Sequence, residues 1–142
     1  MKIVIANDHH GIELKTKIIN YLISKQIEYV NLGCDVKDNV DYVDYAVDLC
    51  NKVKSKECDL GILICGTGIG MSIAANKVKG IFAARVCSPR DAMLCREHNM
   101  ANVMTLAEDT QNLEEILDAF INTLPSTEER HIRRHDKINN LS

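Results

Sequence analysis

The chain has no tryptophan, and aromatic residues fill only 4% of its 142 positions. That leaves too few flat side chains for a base-stacking platform, and the net charge of -3 likewise argues against nucleic acid as a partner. No apolar run approaches the roughly 20 residues that a membrane-spanning helix needs, so no membrane role is expected. Six cysteines stand at 34, 50, 58, 65, 87 and 95, but none forms a CxxC pair. A zinc ribbon or a thioredoxin-type motif is therefore disfavoured. The opening residues MKIVIAND read straight into a strand pattern rather than a signal peptide, so a cytoplasmic protein with free thiols is expected. Repeats, low-complexity tracts and linkers are missing too. A chain that is 46% hydrophobic and 26% charged is ordinary for one globular domain over residues 1–142.

What is present alternates. Strand patterns cover Lys2 to Ala6, Gln26 to Leu32, Leu60 to Cys65, Gly80 to Arg85 and Asn102 to Leu106. Helical patterns cover Ile12 to Ser24, Tyr45 to Lys56, Met71 to Val78, Pro89 to Glu97 and Leu113 to Leu124. In the first helix Leu14, Ile18 and Leu22 recur at i, i+4, i+8; Ala46, Leu49 and Val53 line the second, and Ile116, Phe120 and Ile121 the fifth. Cys50 and Cys95 lie inside helical patterns and read as small core residues. Ser88 before Pro89 is a helix N-cap, and Ser126-Thr127-Glu128-Glu129 fits a capping box that opens a last helix. Strands alternating with helices predict an α/β fold with a parallel sheet covered on both faces.

The chemistry concentrates in Asp59 to Lys77, DLGILICGTGIGMSIAANK. An apolar strand ends at Cys65, and Gly66-Thr67-Gly68-Ile69-Gly70 turns into a helix. Glycines at alternate positions permit positive φ and present N–H groups, a cradle for anions at a helix N-terminus. A thiol among such donors can become a reactive thiolate, serving as nucleophile or as base. A nucleotide P-loop would need Gly-Lys-Ser/Thr where Gly70-Met71-Ser72 stands; the GxGxxG fingerprint fails at Met71, and a Cys-x5-Arg phosphatase would need arginine there. A tight turn around a structural cysteine is the plain alternative.

Three further polar groups fall at element ends: Asp8-His9, His98-Asn99, and the tail arginines Arg130, Arg133 and Arg134. Arg130 and Arg134, at i and i+4, share a helix face that suits a phosphate. Taken singly, these groups read as a capping turn, a helix C-terminus and a solvated basic tail. Their joint occurrence points to a site.

On NDHHGIELK (Asn7 to Lys15), DYVDYA (Asp41 to Ala46), GILICGTGIGMSIAANKVKGI (Gly61 to Ile81), REHNMANV (Arg96 to Val103) and RHIRR (Arg130 to Arg134), the chain resembles the ribose-5-phosphate isomerase B family, which includes galactose-6-phosphate and allose-6-phosphate isomerases. The resemblance implies a Rossmann-like three-layer α/β/α sandwich with a five-stranded parallel sheet and a C-terminal helical tail. It implies a homodimer with sites built from both subunits, pairing into tetramers being left open. The substrate is a sugar phosphate, and neither metal nor organic cofactor takes part. By resemblance, Cys65 is the base that moves a proton between C1 and C2 through a cis-enediolate. The backbone of Gly66, Gly68, Ile69 and Gly70 receives the enediolate oxygens, and Thr67 acts at the sugar hydroxyls. His98 and Asp8 open the furanose ring. Asn99 and Tyr42 contact the sugar, while His9, Arg130 and Arg134 hold the phosphate.

The chain departs from that pattern in places. Met100 stands where many members have aspartate, Val43 where proline is usual, and Glu128-Glu129 where Gly-Gly is common. Ala107-Glu108-Asp109 replaces a segment ending in an arginine that serves the phosphate site in relatives. Like charge at Asp109 would weaken phosphate binding, so either Arg90, Arg133 or Lys137 compensates or the substrate differs. Besides ribose 5-phosphate isomerisation, two readings stand: isomerisation of another sugar phosphate, and sugar-phosphate binding with little catalysis. Hydrolysis at Cys65 is the weakest reading, since no His-Asp relay can be placed beside it from sequence.

Overall fold

The computed structural model describes residues 1–141. In chain order the elements are β1 (Lys2–Asn7), α1 (Ile12–Ser24), β2 (Glu28–Asn31), α2 (Tyr42–Lys54), β3 (Leu60–Cys65) and α3 (Ile69–Asn76), then β4 (Ala83–Arg85), α4 (Pro89–Glu97), β5 (Val103–Ala107), α5 (Leu113–Asn122) and α6 (Glu129–Asn139). The five strands form one wholly parallel sheet in the order β2-β1-β3-β5-β4. This is the expected Rossmann-like sandwich.

The strand alternation sorts the core into two layers. Ile62 and Ile64 of β3 pack with α1, α4 and α5 on one face of the sheet. Leu63 and Cys65 point the other way, against α2 and α3. The connection leaving β1 therefore runs to one face and the one leaving β3 to the other. Between these adjacent strands the sheet reaches its topological switch point, where the carboxyl ends leave a crevice.

Several boundaries differ from the sequence reading, each for a local reason. Helix α2 begins at Tyr42 rather than Tyr45, because Asp41 stays extended as N-cap and Asp44 puts a carboxylate in the first turn. Helix α3 starts at Ile69 rather than Met71, directly after Gly68 at φ 77°. Strand β4 is three residues rather than six: the side chains of Asn102 and Asn76 take the N–H groups of Phe82 and Ala83. The capping box at Ser126 does not form. Ser126 Oγ accepts from Glu128 N–H at 3.0 Å, Ser126 N–H donates to the Glu97 carbonyl at 2.8 Å, and Glu128 becomes the N-cap with no side-chain capping bond. The tail is thus tied to the end of α4. Ser88 does cap α4, accepting from Asp91 N–H at 3.1 Å, with Pro89 at the first position. All six cysteines are free, and Cys50 and Cys95 are buried as expected. Burial raises both thiols, to about 12 and about 11.

Candidate active site

Cys65 is the last residue of β3 and is buried. Its Sγ accepts the N–H of Gly68 at 3.1 Å. That contact requires the loop to fold back over the sulfur, which it does through the left-handed backbone at Gly68. Strand β5 holds the fold in place: buried Thr105 donates its hydroxyl to the Gly68 carbonyl at 2.8 Å, and a side chain at 68 would begin 3.1 Å from the Leu106 carbonyl carbon. Thr67 is exposed; its Oγ1 accepts from Ile69 N–H at 3.2 Å, which leaves its own proton for a ligand. Arg85 Nε donates to the Thr67 carbonyl at 2.9 Å. Two of the loop's N–H groups are thus engaged within it, and the open cradle is smaller than Gly66 to Gly70 suggests.

Across the crevice, Asp8 is buried after β1, its N–H bonded to the Ile64 carbonyl at 3.1 Å and its Oδ1 accepting from His10 N–H at 2.9 Å. His9 Nδ1 accepts from Val40 N–H at 3.3 Å. Tyr42 lies over Gly70: a Cβ there would sit 2.6 Å from Tyr42 Cζ, so only glycine admits the ring. The structure therefore gathers Asp8, His9, Tyr42 and Cys65 to Gly70 at the switch point.

His98, Asn99 and Arg134 are gathered elsewhere. They line a cavity of about 230 Å³ with His131, His135 and Ile138, between the end of α4 and helix α6. His98 stacks on His131 at 4.4 Å and 7°, and its Nε2 lies 3.5 Å from Glu97 Oε1. Burial, then the neighbouring His98 and Arg130, lowers the pKa of His131. Arg130 Nε sits 2.9 Å from Glu128 Oε2 rather than on the cavity wall. Arg133, one of the expected compensating cations, is paired with Glu129 at 2.6 Å. Among the described residues, no hydrogen bond, ion pair or shared cavity joins this group to the Cys65 loop.

Sequence reasoning missed three residues. His10 and Glu108 pair across the mouth of the loop, Nδ1 to Oε2 at 3.2 Å; nothing local in the sequence links the end of β1 to the end of β5. Buried Lys15 donates to the Cys34 carbonyl at 2.8 Å and pairs with Asp35, whose carboxyl it holds below the usual range. Beside Leu14 and Ile18 on the inner face of α1, a lysine was the available signal. With Asn7 Nδ2 on the same carbonyl at 2.9 Å, it pins the segment that leads to Tyr42.

A family model described as Ribose/Galactose Isomerase matches residues 3–138. Ribose-5-phosphate isomerase B of Escherichia coli is 40% identical over 123 residues, covering 84% of this chain and 83% of that protein. The crystal structure of a ribose 5-phosphate isomerase from Thermotoga maritima superposes with a TM-score of 0.93 at 45% identity, covering 99% of this chain and 98% of that one. Ribose-5-phosphate isomerase B of Mycoplasma genitalium, solved with bound ribulose 5-phosphate, superposes with a TM-score of 0.89 at 45% identity over 97% of this chain and 93% of that one.

Proposed function

The chain belongs to the ribose/galactose isomerase family, and we propose that it interconverts ribose 5-phosphate and ribulose 5-phosphate through a cis-enediolate with Cys65 as the base. The observation that carries this reading is the Cys65 sulfur under the Gly68 N–H, at the head of an N–H cradle. The thiolate takes the proton from C2 of the open-chain aldose, and the electron pair moves to the carbonyl oxygen at C1. The O2 proton passes to O1, and return of the carbon-bound proton to C1 as the C2 carbonyl forms gives the ketose. The oxygens that gain charge meet loop N–H donors that need no reorganisation, and Thr67 donates to a sugar hydroxyl. Asp8 and His98 exchange the proton that opens the furanose ring. Tyr42 and Asn99 orient the sugar, and His9, Arg130 and Arg134 hold the phosphate, whose binding energy positions the reacting carbons.

These roles need the two groups of residues in one site. A second copy of the chain completes it, the tail of one subunit covering the loop of the other. The split of His98, Asn99 and Arg134 from Cys65 supports this, as does the exposed apolar face of Val43, Val47, Ile69 and Ile73 beside Tyr42.

The test is turnover of D-ribose 5-phosphate with EDTA present and Cys65→Ala as control. Ketose formation that resists EDTA and vanishes in the variant, with phosphate binding kept, is the expected result. Turnover surviving in Cys65→Ala would remove the sulfur from the role of base. A folded protein inactive on ribose 5-phosphate but active on a six-carbon sugar phosphate would move the substrate assignment.

A further inference from the structure

His9 and His10 are neighbours in sequence, yet the turn after β1 brings their rings to 4.2 Å at 40°. Each ring has its Nδ1 occupied by a different element. Val40 N–H donates to His9 Nδ1 at 3.3 Å, so the neutral His9 carries its proton on Nε2. His10 Nδ1 lies 3.2 Å from the Glu108 carboxylate, which only accepts, so His10 carries a proton on Nδ1. In both rings Nε2 is the atom left to a ligand. Glu108 also donates its own N–H to the Gly66 carbonyl at 3.2 Å. The His10 ring stands 3.8 Å from where a side chain at Gly66 would begin, and half of its surface is open. An imidazole of fixed orientation thus overhangs the first residue of the anion cradle, next to His9.

We infer that His10 is a further substrate-binding residue, whose Nε2, aimed by Glu108, donates beside His9 to the phosphate of the substrate. The inference rests on the phosphate role given to His9 above. With a proton on each nitrogen the ring bridges two anions, the Glu108 carboxylate and the phosphate. The His10–Glu108 pair then adds direction without adding net charge to the site.

Three variants test this: His10→Ala, His10→Gln, whose amide can still donate, and Glu108→Ala, which frees the ring. His10→Ala is expected to raise KM for ribose 5-phosphate and the Ki of inorganic phosphate together, by about tenfold, the worth of one charge-assisted hydrogen bond. Its kcat should stay within about twofold, the signature of lost uniform binding. His10→Gln should recover part of the loss, and Glu108→Ala should show a smaller rise in both constants. Calorimetric titration with inorganic phosphate gives the same comparison without turnover. A protein inactive on every sugar phosphate whose phosphate binding still falls in His10→Ala would sustain the His10 assignment while sinking the isomerase reading. Unchanged phosphate affinity in His10→Ala, or a fall in kcat at constant KM, would overturn the assignment.

Discussion

Replacing Gly68 with alanine tests whether the loop geometry is what arms Cys65, and Gly80 supplies the internal control. Both glycines have positive φ, 77° at Gly68 and 89° at Gly80. A Cβ at Gly80 meets nothing within 4 Å, whereas one at Gly68 falls 3.1 Å from the Leu106 carbonyl carbon and 3.3 Å from Ala107 N. An L-residue in the left-handed region costs about 1–2 kcal/mol. Stiffening of the unfolded chain returns about 0.4–1 kcal/mol. Gly80→Ala should therefore lose about 0.5–1 kcal/mol and keep its activity. Gly68→Ala carries the same term plus about 1–3 kcal/mol for crowding against backbone that cannot give way. At roughly 2–4 °C per kcal/mol, thermal unfolding should fall by about 1–4 °C for Gly80→Ala and by about 3–16 °C for Gly68→Ala. Relief of the contact moves the loop off the sulfur, and a shift of that kind lowers kcat by about a hundredfold. The assays are a melting curve and a saturation curve on each variant. Equal melting shifts in the two variants, or a Gly68→Ala protein with wild-type kcat, would refute the argument.

Mixing Cys65→Ala with Arg134→Ala subunits should restore about a quarter of wild-type activity, since half the dimers are mixed and each holds one intact site; activity no higher than that of the separate variants would place both groups of residues in one chain. Met100 adopts φ 52° at the end of α4, so Met100→Gly should stabilise the fold by about 1 kcal/mol in chemical denaturation; a loss of stability would show that its side chain matters more than its backbone. The pKa of His131 is lowered in the fold, first by burial. The unfolded chain therefore binds the proton more readily, and stability should fall as pH drops through about 6.5. His131→Gln should flatten that part of the profile, and an unchanged profile would assign it to other groups. Ile64→Ala, in the middle of the fully buried face toward α1, should cost about 2–5 kcal/mol; a smaller loss would mean that the core closes over the gap.

The strands and helices were legible wherever hydrophobic period and end signals agreed. α1, β3 and α4 match residue for residue, because Leu14, Ile18 and Leu22, the β-branched run to Cys65, and Ser88-Pro89 act through neighbours in the chain. The misread boundaries lie where distant groups intervene. Asn76 and Asn102 shorten β4, and the Glu97 carbonyl draws Ser126 out of a capping box. The site divides in the same way. Cys65 and its glycines could be read as a cradle because strand, turn and helix are consecutive. The His10–Glu108 pair could not, since 97 residues of chain separate two side chains that the sheet brings together. Nor does a shared helix face decide what Arg130 touches; Glu128, two residues before it, does.

Neither core layer includes a residue beyond Ile121, and α6 lies outside both, attached through the stacked His98 and His131 and the bond from Ser126 to Glu97. The residues that build the core and the tail residues proposed to hold the phosphate are therefore separate stretches of chain. On the proposed reading, drift in the tail can retune which sugar phosphate fits, one exposed side chain at a time, without drawing on the stability of the sheet. Cys65 and Gly68 have no such freedom, because the first is buried and the second is packed against the backbone of β5.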